Sequence, residues 1–470
     1  MTAASSTADT SDTELKRTIT GRLLFFYVLG DVLGSGIYVL IGAVAAAVGG
    51  AFWLAFAAGV TVATITGMAY AELVTKYPQA AGASLYVHRA FRKPMLTFLV
   101  TICMLSASFA AAGSLATGFA RYFSQVVPLP PPLLIALLFV VLLCLVNFIG
   151  ITESVVANLV MTLVEVAGLA LVLVIGIVHV ARGDASWGVL TDFTAEGNPV
   201  FALVAGVALA FFAMTGFENA ANVAEETVRP AVTFPRALIG GMVAAGGIYV
   251  LVAMSAALVV PIDVLGGSEA ALLETVRAGI LPLPVGMMII LFAIIAMVAI
   301  TNTTLVAVVT ESRILYGMAR EGVVPRIFSR LHLVRRSPWV GLLFSGVVVA
   351  TLLVVGQVVL SINPELDLVD RLATVTVVFL LFIYGLVIVS ALKLRGHDET
   401  GEAYRANTVL LYLGLLANAV LLVYVVVDDP SSLLWVAGLL ALGLALYLVA
   451  RLTSTRRRDP LDVHEADQEV

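Results

Sequence analysis

Charge is scarce in this chain of 470 residues: Asp, Glu, Lys and Arg make up 12%, against 61% hydrophobic residues. That leaves too little polar surface to enclose the apolar side chains in a water-soluble shape, so a soluble globular protein is excluded and lipid is the missing solvent. Lysine is rarer still, and Lys16, Lys76, Lys93 and Lys393 all lie outside the apolar stretches. A carboxylate inside a span therefore has no lysine partner. The two cysteines, Cys103 and Cys144, sit within apolar stretches as small hydrophobic residues, which excludes a disulfide framework or metal-type spacing. Of the five histidines, His88, His332, His397 and His464 fall in loops or tails and His179 stands alone at a span end, so a membrane enzyme lacks its dyad. There is no GxxxxGK[ST] loop for an ATP-driven pump and no repeated filter-like loop for a channel. No cofactor and no metal centre are expected, and nucleic acid is not an expected partner. The first twenty residues lack the basic start and cleavage pattern of a signal peptide, and are expected to form a disordered cytoplasmic tail.

What is present is a series of apolar stretches of the length an α-helix needs to cross the hydrocarbon layer. Spans are expected at 22–48, 51–74, 95–120, 132–150, 154–180, 200–225, 235–260, 283–312, 339–360, 371–392, 408–427 and 432–452. The fold class is thus an all-α polytopic membrane protein of about twelve transmembrane helices. With the N-terminus inside, all but four of the 26 basic residues are cytoplasmic, the exceptions being Arg121, Arg182, Arg277 and Arg371. Both termini are then cytoplasmic. The longest connections, near 75–94, 181–199, 261–282 and 313–338, suit loops or short surface helices and leave no room for a soluble domain.

Two spans carry weak points. In the first, Gly30, Asp31, Gly34, Ser35 and Gly36 occupy the middle, where glycine and a short hydroxyl residue disfavour helix. Unwinding at Gly34, Ser35 and Gly36 would expose amides at the start of a second half-helix, a seat for a carboxylate. The pair Gly30 and Gly34 equally suits a small-residue packing face. In the sixth span, Thr215 and Gly216 lie near the middle with Glu218 just after. Were span one the first of a five-helix repeat, span six would begin the next, placing both weak points at equivalent sites. Interrupted helices are tolerated at membrane depth only where the freed backbone faces protein or a water-filled cavity, so paired breaks mark a transport site.

Asp31, Glu165 and Glu218 lie inside apolar segments. At about 1.5 Å per residue, all three fall toward the cytoplasmic half of the hydrocarbon core. An isolated carboxyl group there is a candidate for proton coupling or for binding a cationic group, the alternative being a protonated acid bonded to a neighbouring carbonyl. Glu72, Glu311 and Arg313 sit at cytoplasmic helix ends, where interfacial ion pairs are expected. Phe211 and Phe212 suit either a lid or plain packing. Thr301, Thr303 and Thr304 suit either sodium ligation or bonds to their own helix.

At these residues the chain resembles the amino acid-polyamine-organocation (APC) superfamily. GDVLGSGIYVLIG at 30–42 resembles its first-span glycine segment, and YAELVTKYPQAAGASLYVHRAF at 70–91 its loop after span two. GFENAANVAEETVRP at 216–230 resembles a further stretch, with Arg229 where Asn is usual, and ESRILYGMAREGVVP at 311–325 another, with Glu321 in place of Asp. The resemblance implies a LeuT-like 5+5 inverted-repeat fold with discontinuous helices 1 and 6. Residues 21–395 would be the transport core, 396–453 two peripheral helices and 454–470 a cytoplasmic tail. It further implies that Gly34, Ser35, Gly36 and Ile37 hold a substrate carboxylate. The amino group would meet carbonyls of Phe212, Ala213, Met214 and Thr215, next to Gly216, with Phe212 as the gate aromatic. Glu218 matches an acid implicated in gating in the related arginine/agmatine antiporters. Glu165 stands where several sodium-independent relatives carry a lysine thought to stand in for sodium; a carboxylate does not replace it, and with Asp31 it suits a proton, a metal cation or the amine of a cationic substrate.

The expected function is secondary active transport of an amino acid by alternating access, with a polyamine, another organic amine or an inorganic cation such as potassium as the other cargo weighed. The expected partners are a small-molecule substrate, a coupling proton or sodium ion, and the lipid bilayer of the plasma membrane.

Overall fold

The computed structural model of the protein describes residues 19–78, 82–149, 155–193, 198–224, 227–320, 322–332, 337–363, 366–396 and 403–453. The expected N-terminal tail up to residue 18 and the C-terminal tail 454–470 lie outside the described residues. In chain order the helices are α1 (Gly21–Leu33), α2 (Gly36–Val48), α3 (Trp53–Lys76), α4 (Gly82–Phe91), α5 (Pro94–Val126), α6 (Pro132–Ile149), α7 (Val155–Ala181) and α8 (Pro199–Ala213). They continue as α9 (Pro230–Val259), α10 (Ile262–Gly267), α11 (Ala271–Arg277), α12 (Val285–Arg320), α13 (Trp339–Ile362), α14 (Leu368–Lys393), α15 (Thr408–Asp428) and α16 (Ser432–Thr453).

Helix starts follow the sequence chemistry. Proline opens α5, α6, α8 and α9, where its missing N–H costs nothing. Asn198, Asp367 and Asn407 cap α8, α14 and α15, accepting amide hydrogens from Val200 (2.9 Å), Val369 (2.7 Å) and Val409 (2.9 Å). Large apolar side chains on the outer faces, such as Leu138, Val141, Leu142 and Leu145 of α6, are exposed, as a lipid-facing surface requires.

Among the described residues ten single helices are long and apolar enough to cross the membrane, and α1 with α2 forms a further crossing bent by 44°. Helix α8 has 15 residues, roughly 22 Å, too short to cross alone. It continues after a break as a 3-10 helix, Phe217–Val223. Each of the twelve expected spans thus falls on a helix or on a broken pair, and both expected discontinuities are present. The connection near 75–94 holds the short helix α4, and that near 261–282 holds α10 and α11.

Helix α5 packs between α12 and α14, α3 against α9, α1 against α7 and α9, and α2 against α8. The entry of the first broken span and the exit of the sixth are joined by main chain: Ile19 pairs in parallel with Thr227, and the Val228 amide donates to the Ile19 carbonyl at 2.9 Å. The expected ion pair of Glu72 exists. Its carboxylate takes two bonds from Arg395, Nε to Oε1 at 2.8 Å and a terminal nitrogen to Oε2 at 2.7 Å, and a third from the Ala406 amide at 2.9 Å. The segment before α15 is thereby clasped to the end of α3. Glu311 departs from expectation. Helix α12 runs two turns beyond the expected boundary, to Arg320, so Glu311 lies in packed interior facing Ser345 of α13, and no ion pair of it occurs among the described residues.

Arg229, the residue before Pro230, adopts φ 48° and ψ 65°, the left-handed region. A long side chain there costs about 1–2 kcal/mol, whereas asparagine tolerates it by bonding its own backbone. Arg229→Asn is therefore expected to raise the thermal midpoint of the detergent-solubilised protein; an unchanged or lower midpoint would show that no strain is stored there.

Candidate functional site

The first break is two residues long. Gly34 takes φ −29° and ψ −159°, a turn that ends α1, and Ser35 starts the next helix. The ladder of α2 begins with the Val39 amide donating to the Ser35 carbonyl at 3.1 Å, so the amides of Gly36, Ile37 and Tyr38 precede it and point out of the helix end. The Ser35 amide donates to Thr303 Oγ1 of α12 at 3.2 Å. On the other side of the gap the Val32 carbonyl accepts from the Tyr249 hydroxyl of α9 at 2.6 Å.

The second break begins as α8 tightens. The Met214 amide reaches the Phe211 carbonyl at 3.0 Å, and Thr215 bonds the Phe212 carbonyl through both its amide (3.2 Å) and its hydroxyl (2.8 Å). Gly216 then turns with φ +112°, and its amide donates to Glu218 Oε2 at 2.9 Å. The Phe212 carbonyl is thus engaged within its own turn, while those of Ala213, Met214 and Thr215 follow the last regular bond of α8.

The two breaks meet. A β-carbon built on Gly36 would lie 2.4 Å from the Ala213 Cα, and one on Gly216 would lie 2.8 Å from the Asp31 carbonyl oxygen. Beside this crossing is a cavity of about 100 Å³. Asp31, Gly34, Ser35, Gly36, Phe212, Ala213, Thr215, Gly216 and Glu218 border it; Ile37 and Met214 are buried just outside its lining. Glu165 is also outside. It is fully buried on α7, where Asn302 Nδ2 donates to its Oε1 at 3.2 Å and the Tyr38 hydroxyl to its main-chain carbonyl at 2.8 Å. The structure therefore brings Asp31 and Glu218 into one cavity and leaves Glu165 behind the first break.

Apart from Thr303, the remaining walls went unread in the sequence. Helix α5 contributes Ala107, Ser108 and Ala111, α12 contributes Thr303, Val306, Ala307 and Thr310, and α14 contributes Thr376, Leu380 and Ile383. Their helical spacing of three and four is the only signal, and every apolar span shows it. Tyr70 and Tyr384 flank Glu218 and pack on Phe217, with ring centroids 5.6 and 5.2 Å away. Phe212 lines the cavity and Phe211 packs edge-on against Tyr384 at 5.9 Å, so only the first of the two aromatics faces the space. Thr301, Thr303 and Thr304 all direct their hydroxyls to carbonyls of their own helix, at 2.6, 3.4 and 2.7 Å. Among the described residues no group of three His, Cys, Asp or Glu side chains could hold a metal ion.

Outward-pointing amides at the start of one half-helix face carbonyls at the end of another across the same small space. Their dipole ends are opposite in sign, so the pair suits a molecule negative at one end and positive at the other.

Comparison with known proteins bears on the family and the fold. The family described as amino acid permease matches residues 21–450. The chain is 28% identical over 329 residues to the chloroplastic cationic amino acid transporter 9 of Arabidopsis thaliana, the match taking in 65% of this chain and 55% of that longer protein. It is 22% identical over 365 residues to a branched-chain amino acid permease of Bacillus subtilis (strain 168), covering 73% of this chain and 76% of the relative. Among solved structures, a manganese transporter mutant of Eremococcus coleocola superposes with a TM-score of 0.62 at 14% identity, over 94% of this chain and 97% of its own. That likeness speaks to the fold alone.

Proposed function

The chain belongs to the amino acid permease family of the APC superfamily, and from that premise we propose that it moves amino acids across the membrane by alternating access through the crossing of its two broken spans. One observation carries the reading: the amides of Gly36 and Ile37 and the carbonyls of Ala213, Met214 and Thr215 are the unbonded ends of facing half-helices beside a cavity. The substrate α-carboxylate lies along Gly34, Ser35, Gly36 and Ile37, met by the amides at the start of α2 while Thr303 takes that of Ser35; its ammonium group is at the α8 carbonyls, and Phe212 covers it. The Phe212 carbonyl already serves Thr215, so its part is the ring. The core is residues 21–395, with α15 and α16 peripheral. The protein is an integral membrane protein of the plasma membrane with both termini cytoplasmic.

Asp31 and Glu218 border the cavity and Glu165 lies behind it, so coupling is divided: Asp31 and Glu218 sense the cargo, and Glu165 with Asn302 forms a separate acceptor for a proton or small cation. Purified protein in liposomes, given radiolabelled L-leucine, L-arginine, L-glutamate and putrescine under imposed proton or sodium gradients, tests this. The expected result is uptake of at least one amino acid, driven by one gradient. Glu165→Gln is expected to flatten the pH dependence of that uptake, and an unchanged profile removes Glu165 from coupling. Uptake of putrescine alone would replace the amino acid by an amine as the cargo.

A further inference from the structure

We infer that Tyr249 and Thr303 are positioning residues that hold the first break in its open geometry, Tyr249 fixing the end of α1 and Thr303 fixing the start of α2, so that the amides of Gly36 and Ile37 present themselves to an anionic group. The inference rests on the reading of the break as the site for a substrate carboxylate.

A two-residue break costs the chain its helical bonds on both sides, and in a buried setting the freed groups need partners. Here one hydroxyl serves each side. Tyr249, fully buried on α9, donates to the Val32 carbonyl at 2.6 Å. Thr303 of α12 accepts from the Ser35 amide at 3.2 Å while its own hydrogen points to the Ala299 carbonyl. Val32 lies in the last turn of α1 and Ser35 is the N-cap of α2, so these two bonds fix how far and at what angle α2 departs from α1. With Thr303 taking the Ser35 amide, the anion-facing set becomes Gly36, Ile37 and Tyr38. Without it the Ser35 amide would compete for the same anion from a different direction.

The two anchors differ in what they ride on. Helix α9 packs along α1, whereas α12 meets α2 only at a small contact. The Tyr249 bond travels with α1, and the Thr303 bond lies between elements that separate if the broken spans rock against α12.

Side-chain chemistry makes the test clean. Tyr249→Phe keeps the ring that packs edge-on against Phe56 at 5.9 Å and removes only the donor. Thr303→Val keeps the shape and removes the acceptor, and Thr303→Ser restores it. Uptake kinetics are measured in proteoliposomes with the best substrate among L-leucine, L-arginine and L-glutamate, alongside competition by the matching amine that lacks the carboxylate. Tyr249→Phe and Thr303→Val are each expected to raise KM about tenfold, as the loss of one buried hydrogen bond would. The maximal rate should change less, the amine's inhibition constant should stay near wild type, and Thr303→Ser should recover the native KM. A purely structural role would weaken acid and amine alike and lower the melting temperature, and that result overturns the inference. Gly36→Val, run in parallel, separates the two layers. If it abolishes uptake while Tyr249→Phe and Thr303→Val behave as wild type, only the positioning inference falls; if it transports normally, or if no amino acid is taken up at all, the site reading falls with it.

Discussion

Gly36→Val is expected to reduce uptake roughly a hundredfold or more, with expression and the elution profile of the purified protein unchanged. The β-carbon alone would lie 2.4 Å from the Ala213 Cα and 2.8 Å from its Cβ, inside contact distance of main chain that has no rotamer to yield. Overpacking against yielding side chains costs about 1–3 kcal/mol, and a rigid backbone neighbour takes the cost to the top of that range, equivalent to about a hundredfold. What gives way is the approach of the two breaks, so the amides of α2 and the carbonyls of α8 no longer face one space. Gly247→Ala is the control. Its β-carbon would meet nothing within 4 Å, and it should transport as the wild type does. Wild-type uptake by Gly36→Val would mean that cargo passes without using this crossing.

Gly216→Ala is expected to be nearly as damaging for a different reason. Its φ of +112° lies where residues with a side chain rarely go, and the added carbon would also lie 2.8 Å from the Asp31 carbonyl oxygen. The strain, about 1–3 kcal/mol, has to be released by rotating the peptide whose amide holds Glu218 Oε2. The variant therefore lowers uptake by roughly tenfold to a hundredfold and shifts its pH dependence, because Glu218 loses that donor. Thermal unfolding followed by intrinsic fluorescence should show a smaller change than transport does. A variant with native uptake and a native pH profile would show that the turn relaxes without consequence.

Both breaks were legible because the residues that make them are locally costly in a helix: Gly34, Ser35 and Gly36 in one span, Thr215 and Gly216 with a following acid in the other. Span number was legible from hydropathy, since lipid offers unpaired backbone no alternative to helix. Position along a span can be counted from the sequence; azimuth cannot. Asp31 and Glu165 come out at similar depth by counting residues, yet one faces the cavity and the other the α7 side of the first break, a distinction set by how the helices are rotated against each other. The walls from α5, α12 and α14 were illegible for the same reason, since Ala107, Ala111 and Ala307 are indistinguishable in sequence from residues packed in any interior. Thr303 was noticed only as a residue that bonds its own helix or a sodium ion. Its link to Ser35, 268 positions away, is a fact of tertiary structure. Tyr249 carries no local signal at all. The end of α12 was misjudged because hydropathy falls at Glu311 while the helix, shielded by α13, runs on to Arg320.

The pairing of Ile19 with Thr227 is made of peptide groups, so its strength does not depend on which side chains occupy those positions; at 228 only proline, having no hydrogen to give, would unpick it. A force applied to the residues ahead of α1 reaches the exit of the sixth crossing through that stitch, without passing through the cargo chamber. Whatever grips or modifies the amino-terminal extension thus has a handle on both interrupted crossings at once.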